Sequence, residues 1–169
     1  MSQSQHDTQT DTRALRNALG RFATGVAVVT AIDPDGHPIG LTVNSFSAVS
    51  LSPALVLWCL DNRSHNLEAF RRASHHAINI LAADQQDLSN RFATWPTDRF
   101  TGLDWQPGVG GAPVFPGCCA HFEVANENAV AGGDHTIFIG RVENFAETES
   151  LAPLLFASGR YRRLADTPE

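Results

Sequence analysis

The sequence predicts a mainly β fold, a closed or nearly closed antiparallel barrel with helices at its periphery. About six apolar or β-branched segments are predicted as strands, and turn residues join them at spacings typical of hairpins. Three short helical patterns lie among them, without the regular strand–helix alternation of a doubly wound parallel sheet. The 169 residues, 43% of them hydrophobic, are enough for one domain with its own core.

The N-terminal segment is polar and slightly acidic over residues 1–12, so we expect a disordered lead-in before a single domain over 13–169. Asp11 or Thr12 is predicted to cap a first helix, which ends at Gly25. Helical spacing places three large apolar side chains on one face of this helix. They are Leu15, Leu19 and Phe22.

The next three strands are predicted from composition and turn residues. Residues 26–32 are rich in Val and Ile and form the first strand. An Asp-Pro-Asp-Gly turn at 33–36 leads to a second strand over 38–49. Residues 54–60 are apolar without alternation, so we expect a third strand that is buried on both faces.

Shorter elements and one long loop are predicted for the second half. A short helix begins at Ser64, and another covers residues 84–93. Residues 95–117, rich in Pro and Gly, are predicted to form a long loop. Loops of this length within a compact domain often have a functional role. The aromatic anchors of this loop are Trp95, Phe100, Trp105 and Phe115. The remaining elements are strands over 77–82, 119–131 and 136–145 and a helical or irregular return over 150–157.

Charge and composition exclude several classes of function. All 12 positive residues are arginine, which rules out lysine Schiff bases, pyridoxal-phosphate lysines and the P-loop lysine. The net charge of −6 argues against nucleic-acid binding, and no apolar run is long enough for a membrane span. Three cysteines and no signal-peptide pattern favour free thiols in the cytoplasm.

Three polar segments are candidate sites, each with a simpler alternative. Hydroxyl and amide side chains in residues 40–47 match a planar ligand rich in heteroatoms, or a strand end whose hydroxyls bond backbone. Residues 61–66 include Arg63 and Ser64 ahead of a helix, which suits a phosphate or an ordinary helix cap. His135 follows a glycine turn and faces either a pocket or solvent.

Several common motifs are absent from the sequence. No GxGxxG, GxSxG or HExxH pattern occurs, so a Rossmann dinucleotide site, a hydrolase elbow and a zincin site are not expected. His75 and His76 are adjacent and face opposite sides of a strand, so they cannot jointly bind a metal. We therefore expect no metal site.

The segments, taken in order, resemble the short-chain flavin reductases, the reductase components of two-component flavin-dependent monooxygenases. The resemblance covers roughly residues 13–164. It is carried by residues 22–30, 40–47, 50–53, 59–70, 77–92, 133–142 and 159–161.

This resemblance implies an antiparallel split β-barrel of Greek-key type, the FMN-binding split barrel. It implies a homodimer with flavin near the subunit interface, FAD or FMN as cofactor or substrate, and NADH or NADPH as hydride donor. It also implies a flavin-dependent monooxygenase as the partner that receives reduced flavin by diffusion.

The resemblance also implies roles for individual residues. Residues along the edge of the isoalloxazine ring would be Thr42, Val43, Asn44 and Ser45, with Ser47 in the same segment. Residues beside the ring and the ribityl chain would be Cys59 and Asp61. The phosphate would be held by Ser64 with His65 or Asn66, and by Arg63. Phe92 would pack near the flavin, His135 would bind the nicotinamide, and Tyr161 would close the pocket.

Three other functions are compatible with the same split-barrel fold. A pyridoxamine-phosphate oxidase-like enzyme would need clustered cations, and the absence of lysine argues against it. A non-catalytic flavin- or haem-binding module would keep the flavin segment without needing His135. No motif separates a corrinoid or ferric-chelate reductase from a reductase that serves a monooxygenase.

Overall fold

The computed structural model describes residues 11–94 and 98–165. The predicted lead-in up to residue 10 and the predicted anchor Trp95 lie outside these residues. The helices are α1 (Thr12–Leu19), α2 (Leu67–Arg72) and α3 (Gln86–Ala93). The strands are β1 (Thr24–Gly25), β2 (Ala27–Ile32), β3 (Pro38–Val43), β4 (Ser47–Leu51), β5 (Ala54–Asp61), β6 (His75–Ile80), β7 (Gln106–Pro107), β8 (Pro113–Val114), β9 (Ala120–Gly132), β10 (His135–Glu147), β11 (Leu155–Ala157) and β12 (Arg160–Arg162).

The main sheet has seven antiparallel strands in the order β3-β2-β6-β9-β10-β5-β4. Two small sheets accompany it, β1-β11-β12 and β7-β8. The three helices lie outside the strand order. The prediction of a mainly β, antiparallel split barrel with peripheral helices is confirmed.

A short connection between the two edge strands shows that the main sheet is rolled. Seven flat strands at ~4.8 Å spacing would hold their edges about 29 Å apart. The chain from Val43 at the end of β3 to Ser47 at the start of β4 can span at most roughly 15 Å. The two edges must therefore lie close together. The prediction of one strand over 38–49 was wrong, because residues 44–46 cross from one edge to the other.

The core of the rolled sheet is aromatic. Trp58 on β5 stacks on Phe138 of β10 with ring centroids 4.5 Å apart, and Phe70 of α2 meets Trp58 edge-on. Along β5 only alternate side chains are fully buried, Val56, Trp58 and Leu60, while their neighbours are half-buried. The expectation that β5 is buried on both faces was wrong, because its second face is only half-buried and ends in a cleft at Cys59 and Asp61.

The elements around the barrel depart from the prediction at their ends. Asp11 caps α1 as predicted, accepting hydrogen bonds from two backbone amides, but the helix ends at Leu19 with Gly20 as its cap. Helix α2 begins at Leu67, because the chain makes a turn after Ser64.

The long loop is partly ordered. It contains β7, β8 and a 3-10 turn over Val109–Gly111. Phe100 and Phe115 of this loop pack against Phe92 of α3, and Trp105 packs against the same hydrophobic cluster. The three predicted anchors among the described residues therefore all contact the core. Among the described residues, no helix has both the length and the apolar character needed to cross a membrane.

Candidate functional site

Two adjoining clefts lie at the ends of β3 and β5 and share Leu41, Thr42 and Asp61. The larger has a volume of about 770 Å³ and the smaller about 440 Å³. Predicted site residues that line only the larger cleft are Val43, Asn44, Ser45, Cys59 and His135. Predicted site residues that line only the smaller cleft are Arg63, Ser64, His65, Asn66 and Phe92.

The hydroxyl groups of the predicted ring-binding segment are bonded to backbone. Ser45 Oγ accepts a hydrogen bond from the Cys59 amide at 2.9 Å and donates to the Cys59 carbonyl at 3.3 Å. These bonds attach the edge connection, residues 44–46 between β3 and β4, to β5. Thr42 Oγ1 donates to the Ser89 carbonyl of α3 at 2.7 Å. Asn44 is exposed in the larger cleft, and its side chain makes no hydrogen bond to a described residue. Its amide group is therefore available to a ligand.

Asp61 and Arg63 form a bidentate ion pair at the junction of the clefts. Arg63 Nη2 lies 2.7 Å from Asp61 Oδ2, and Nε donates to Oδ1 at 3.1 Å. Hydrogen bonds from Arg63 hold the pKa of Asp61 well below its usual range. The charge of Arg63 is thus matched by a carboxylate, which weakens its predicted role toward a phosphate.

The smaller cleft also receives the predicted phosphate segment. Ser64 Oγ accepts a long 3.4 Å hydrogen bond from the Asn66 amide, and Asn66 precedes α2 without a side-chain cap. Phe92 is buried, and its ring lies against Gly40, so it forms part of the cleft floor.

Arg99 is a lining residue that the sequence did not reveal. Its guanidinium donates from Nη1 to the Gly40 carbonyl at 2.7 Å and from Nη2 to the Thr94 carbonyl at 2.6 Å. Burial lowers its pKa below the ordinary value for arginine. The residue lies in the long loop, where no periodicity predicts what a side chain contacts. Its only sequence signal was the length of that loop.

His135 begins β10 directly after the glycine turn and lines the larger cleft. Its Nδ1 lies 2.8 Å from Asp134 Oδ1, and this hydrogen bond lowers the pKa of Asp134. Asn62, directly after β5, anchors the glycine turn. It donates to the Gly133 carbonyl at 3.2 Å and accepts from Thr136 Oγ1 at 2.8 Å.

Two predicted site residues lie away from both clefts. Ser47 is exposed on β4, and its hydroxyl donates to the neighbouring Ala48 carbonyl at 3.2 Å. Tyr161 packs against Phe156, and its hydroxyl lies 2.8 Å from Ser89 Oγ of α3. Tyr161 on β12 therefore contacts α3 within this chain, and its role in closing the pocket stays a prediction.

The histidines outside these clefts make contacts that support the fold. His76 is buried, accepting from Trp58 Nε1 at 3.3 Å and lying 3.0 Å from the Phe70 carbonyl, while His75 faces the other way toward Glu143. Within the larger cleft, burial raises the pKa of the Cys59 thiol, which keeps it protonated. In the part of the chain that the structure describes, no three His, Cys, Asp or Glu side chains are placed to hold a metal ion.

The comparison with protein families shows which family this chain is related to. Residues 19–165 match the flavin reductase like domain. The chain belongs to this family. Two curated relatives of this flavin reductase-like chain are a probable flavin reductase of Rhizobium meliloti (strain 1021), 49% identical over 151 residues, and the FMN reductase (NADH) SmoA of Agrobacterium fabrum, 48% identical over 155 residues.

The relatives differ in length from this flavin reductase-like chain. The alignments cover 89% of the chain but only 48% of the Rhizobium protein, and 92% of the chain and 87% of SmoA. A solved structure of the Streptomyces globisporus C-1027 NADH:FAD oxidoreductase SgcE6, in complex with NAD and FAD fragments, has a TM-score of 0.89 at 38% identity. It covers 94% of this chain and 96% of that one.

Proposed function

We propose that this chain is an NAD(P)H-dependent flavin reductase that supplies reduced FAD or FMN to a flavin-dependent monooxygenase. The observation that carries the proposal is the pair of joined clefts, one with an available amide and an imidazole, the other with hydroxyl and cationic groups. Family membership and relatives named FMN reductase (NADH) and NADH:FAD oxidoreductase support it.

The residues present fit a flavin. The larger cleft offers apolar walls from Leu41, Leu60 and Ile137 for a planar ring, and the Asn44 amide for its heteroatom edge. Asp61 lines both clefts and would accept hydrogen bonds from ribityl hydroxyls. A phosphorylated tail would then extend into the smaller cleft, past Thr42 toward Ser64.

A bound flavin supplies the hydride-accepting position, N5, and nicotinamide C4 supplies the hydride, so the protein needs no nucleophile of its own. The chain's task is to hold the two rings in contact and to exclude water. Asn44 and backbone amides of the edge connection would stabilise the negative charge that develops on the flavin. The sequence likewise contains no GxSxG motif for a serine nucleophile.

We expect His135 to contact the nicotinamide. A carboxylate only accepts hydrogen bonds, so Nδ1 donates to Asp134, and in this tautomer Nε2 is left as an acceptor. A nicotinamide carboxamide has an N–H₂ group that can donate to such an acceptor. His135 would therefore orient the nicotinamide, and it would transfer no proton.

A homodimer would cover the apolar face of α1. No residue of α1 is buried, and Leu19 at its end is 67% exposed. Phe22, which was predicted to lie in this helix, follows it and is 79% exposed. Helices of this length depend on packing of their apolar face. Leu19 also lines the larger cleft, so a second copy on this face would lie beside the flavin. Sedimentation velocity should show a dimer, and Phe22→Ser should shift it toward monomer.

The proposed activity is tested by following NADH and NADPH oxidation with FMN or FAD added in turn. Catalytic turnover with free flavin is the expected result, and the four combinations give the cofactor preference. Flavin that copurifies and is not turned over would instead support a binding module. Turnover only with a corrinoid or a ferric chelate would replace the monooxygenase role with one of those reductase activities.

A further inference from the structure

The smaller cleft contains a guanidinium that is held in place by uncharged groups. Arg99 donates to the carbonyls of Gly40 on β3 and Thr94 after α3, and it makes no other hydrogen bond to the described residues. An arginine has five N–H donors, and three of those of Arg99 make no hydrogen bond to a described residue. The two carbonyls fix the direction of the group without neutralising its charge.

The charge balance of this cleft singles out Arg99. No carboxylate of the described residues forms an ion pair with it, whereas Arg63 is paired in bidentate fashion with Asp61. The sequence contains no lysine that could take its place. Desolvation alone, with no compensating anion, accounts for the lowered pKa of Arg99. A half-buried cation of this kind gains most from an anionic ligand.

We infer that Arg99 binds the phosphate of a phosphorylated flavin and thereby selects FMN or FAD over riboflavin. The inference rests on the proposed flavin-binding function. Its geometric basis is that Arg99 lines the same cleft as Ser64, His65 and Asn66, next to Phe92. An anion between these groups would meet a fixed guanidinium on one side and polar groups on the other.

The role is tested with purified full-length protein by titrating FMN and riboflavin separately and following the quenching of flavin fluorescence. Arg99→Gln should raise the Kd for FMN roughly tenfold or more, because a charge-assisted hydrogen bond is lost. The Kd for riboflavin should stay within about twofold, since riboflavin has no phosphate. Added salt should weaken FMN binding more in the wild type than in this variant.

Arg91→Gln is the matched control. Arg91 also donates to a loop carbonyl, that of Thr101, but it lines neither cleft. It should leave both Kd values unchanged. Arg99→Lys keeps the charge and should retain part of the FMN preference, which keeps the test valid if Arg99→Gln does not fold.

The outcomes separate the inference from the function on which it rests. Equal weakening of FMN and riboflavin in Arg99→Gln would show that Arg99 only supports the loop, and unchanged FMN binding would remove it from the site. Either result overturns the inference while leaving flavin binding intact. Failure of the wild type to bind either flavin would overturn the proposed function itself.

Discussion

His135 at the start of β10 is the direct strand partner of Asp61 at the end of β5. Paired residues of antiparallel strands project from the same face of the sheet, so the imidazole and the carboxylate lie side by side at the larger cleft. The proximity of His135 contributes to the lowered pKa of Asp61, after the larger effect of Arg63. Two segments that are more than 70 residues apart in sequence thus meet at one wall.

Loss of the imidazole should affect the nicotinamide more than the flavin. We expect His135→Ala to raise the KM for NADH about tenfold, because one orienting hydrogen bond is lost, and to leave the flavin Kd nearly unchanged. Steady-state kinetics and a flavin titration measure the two effects. His37→Ala, an exposed histidine in the β2–β3 turn, should change neither. Equal losses of both affinities would contradict the orienting role.

The available amide in the larger cleft should contribute to flavin binding. Asn44→Ala should weaken flavin affinity by about 1–3 kcal/mol, since the ring edge loses a hydrogen-bond partner. Fluorescence titration gives the change directly. Asn128→Ala is the control, because Asn128 is exposed on β9 and lines neither cleft. A flavin titration unaltered by Asn44→Ala would exclude Asn44 from the site.

Close packing of α3 on the barrel depends on a glycine. A Cβ at Gly40 would lie 2.8 Å from Cε1 of Phe92 and 3.2 Å from Cγ2 of Thr30. Gly40→Ala should therefore lower the free energy of unfolding by about 1–3 kcal/mol. Chemical denaturation measures this change. Gly25→Ala, where a Cβ would meet nothing within 4 Å, should cost far less. Equal stability of both variants would show that Phe92 moves without penalty.

A buried histidine should make the fold sensitive to mild acid. Burial lowers the pKa of His76 from 6.5 to about 4, so the folded state disfavours the proton that the unfolded chain binds. The resulting stability is complete above pH 6.5 and falls as the pH drops toward about 4, by at most about 1.4 kcal/mol per pH unit.

Denaturant midpoints between pH 6.5 and about 5 measure this effect. The variant His76→Gln should show a shallower dependence on pH than the wild type, even though the substitution lowers stability throughout. Identical slopes for the two proteins would mean that His76 is protonated in the folded state or that other groups dominate the acid response.

The sequence was sufficient for the elements that depend on local chemistry. Val- and Ile-rich runs marked β2, and a glycine turn separated β9 from β10 and placed His135 at a strand start. Caps and turns act within a few residues of one another, so they can be read in order along the chain. The polar segments that line the two clefts were recognisable for the same reason.

Only the tertiary structure decided which groups of these segments remain available to a ligand. Rolling of the sheet divides residues 38–49 between its two edges, leaves Ser47 outside the clefts and brings the Ser45 hydroxyl into hydrogen bonds with the Cys59 backbone. Arg99 is held in its cleft by a hydrogen bond to the carbonyl of Gly40, which lies 59 residues earlier in the chain. Contacts of this kind depend on the rolling of the whole sheet, which no local pattern encodes, so the charge balance of the site emerges only in the folded chain.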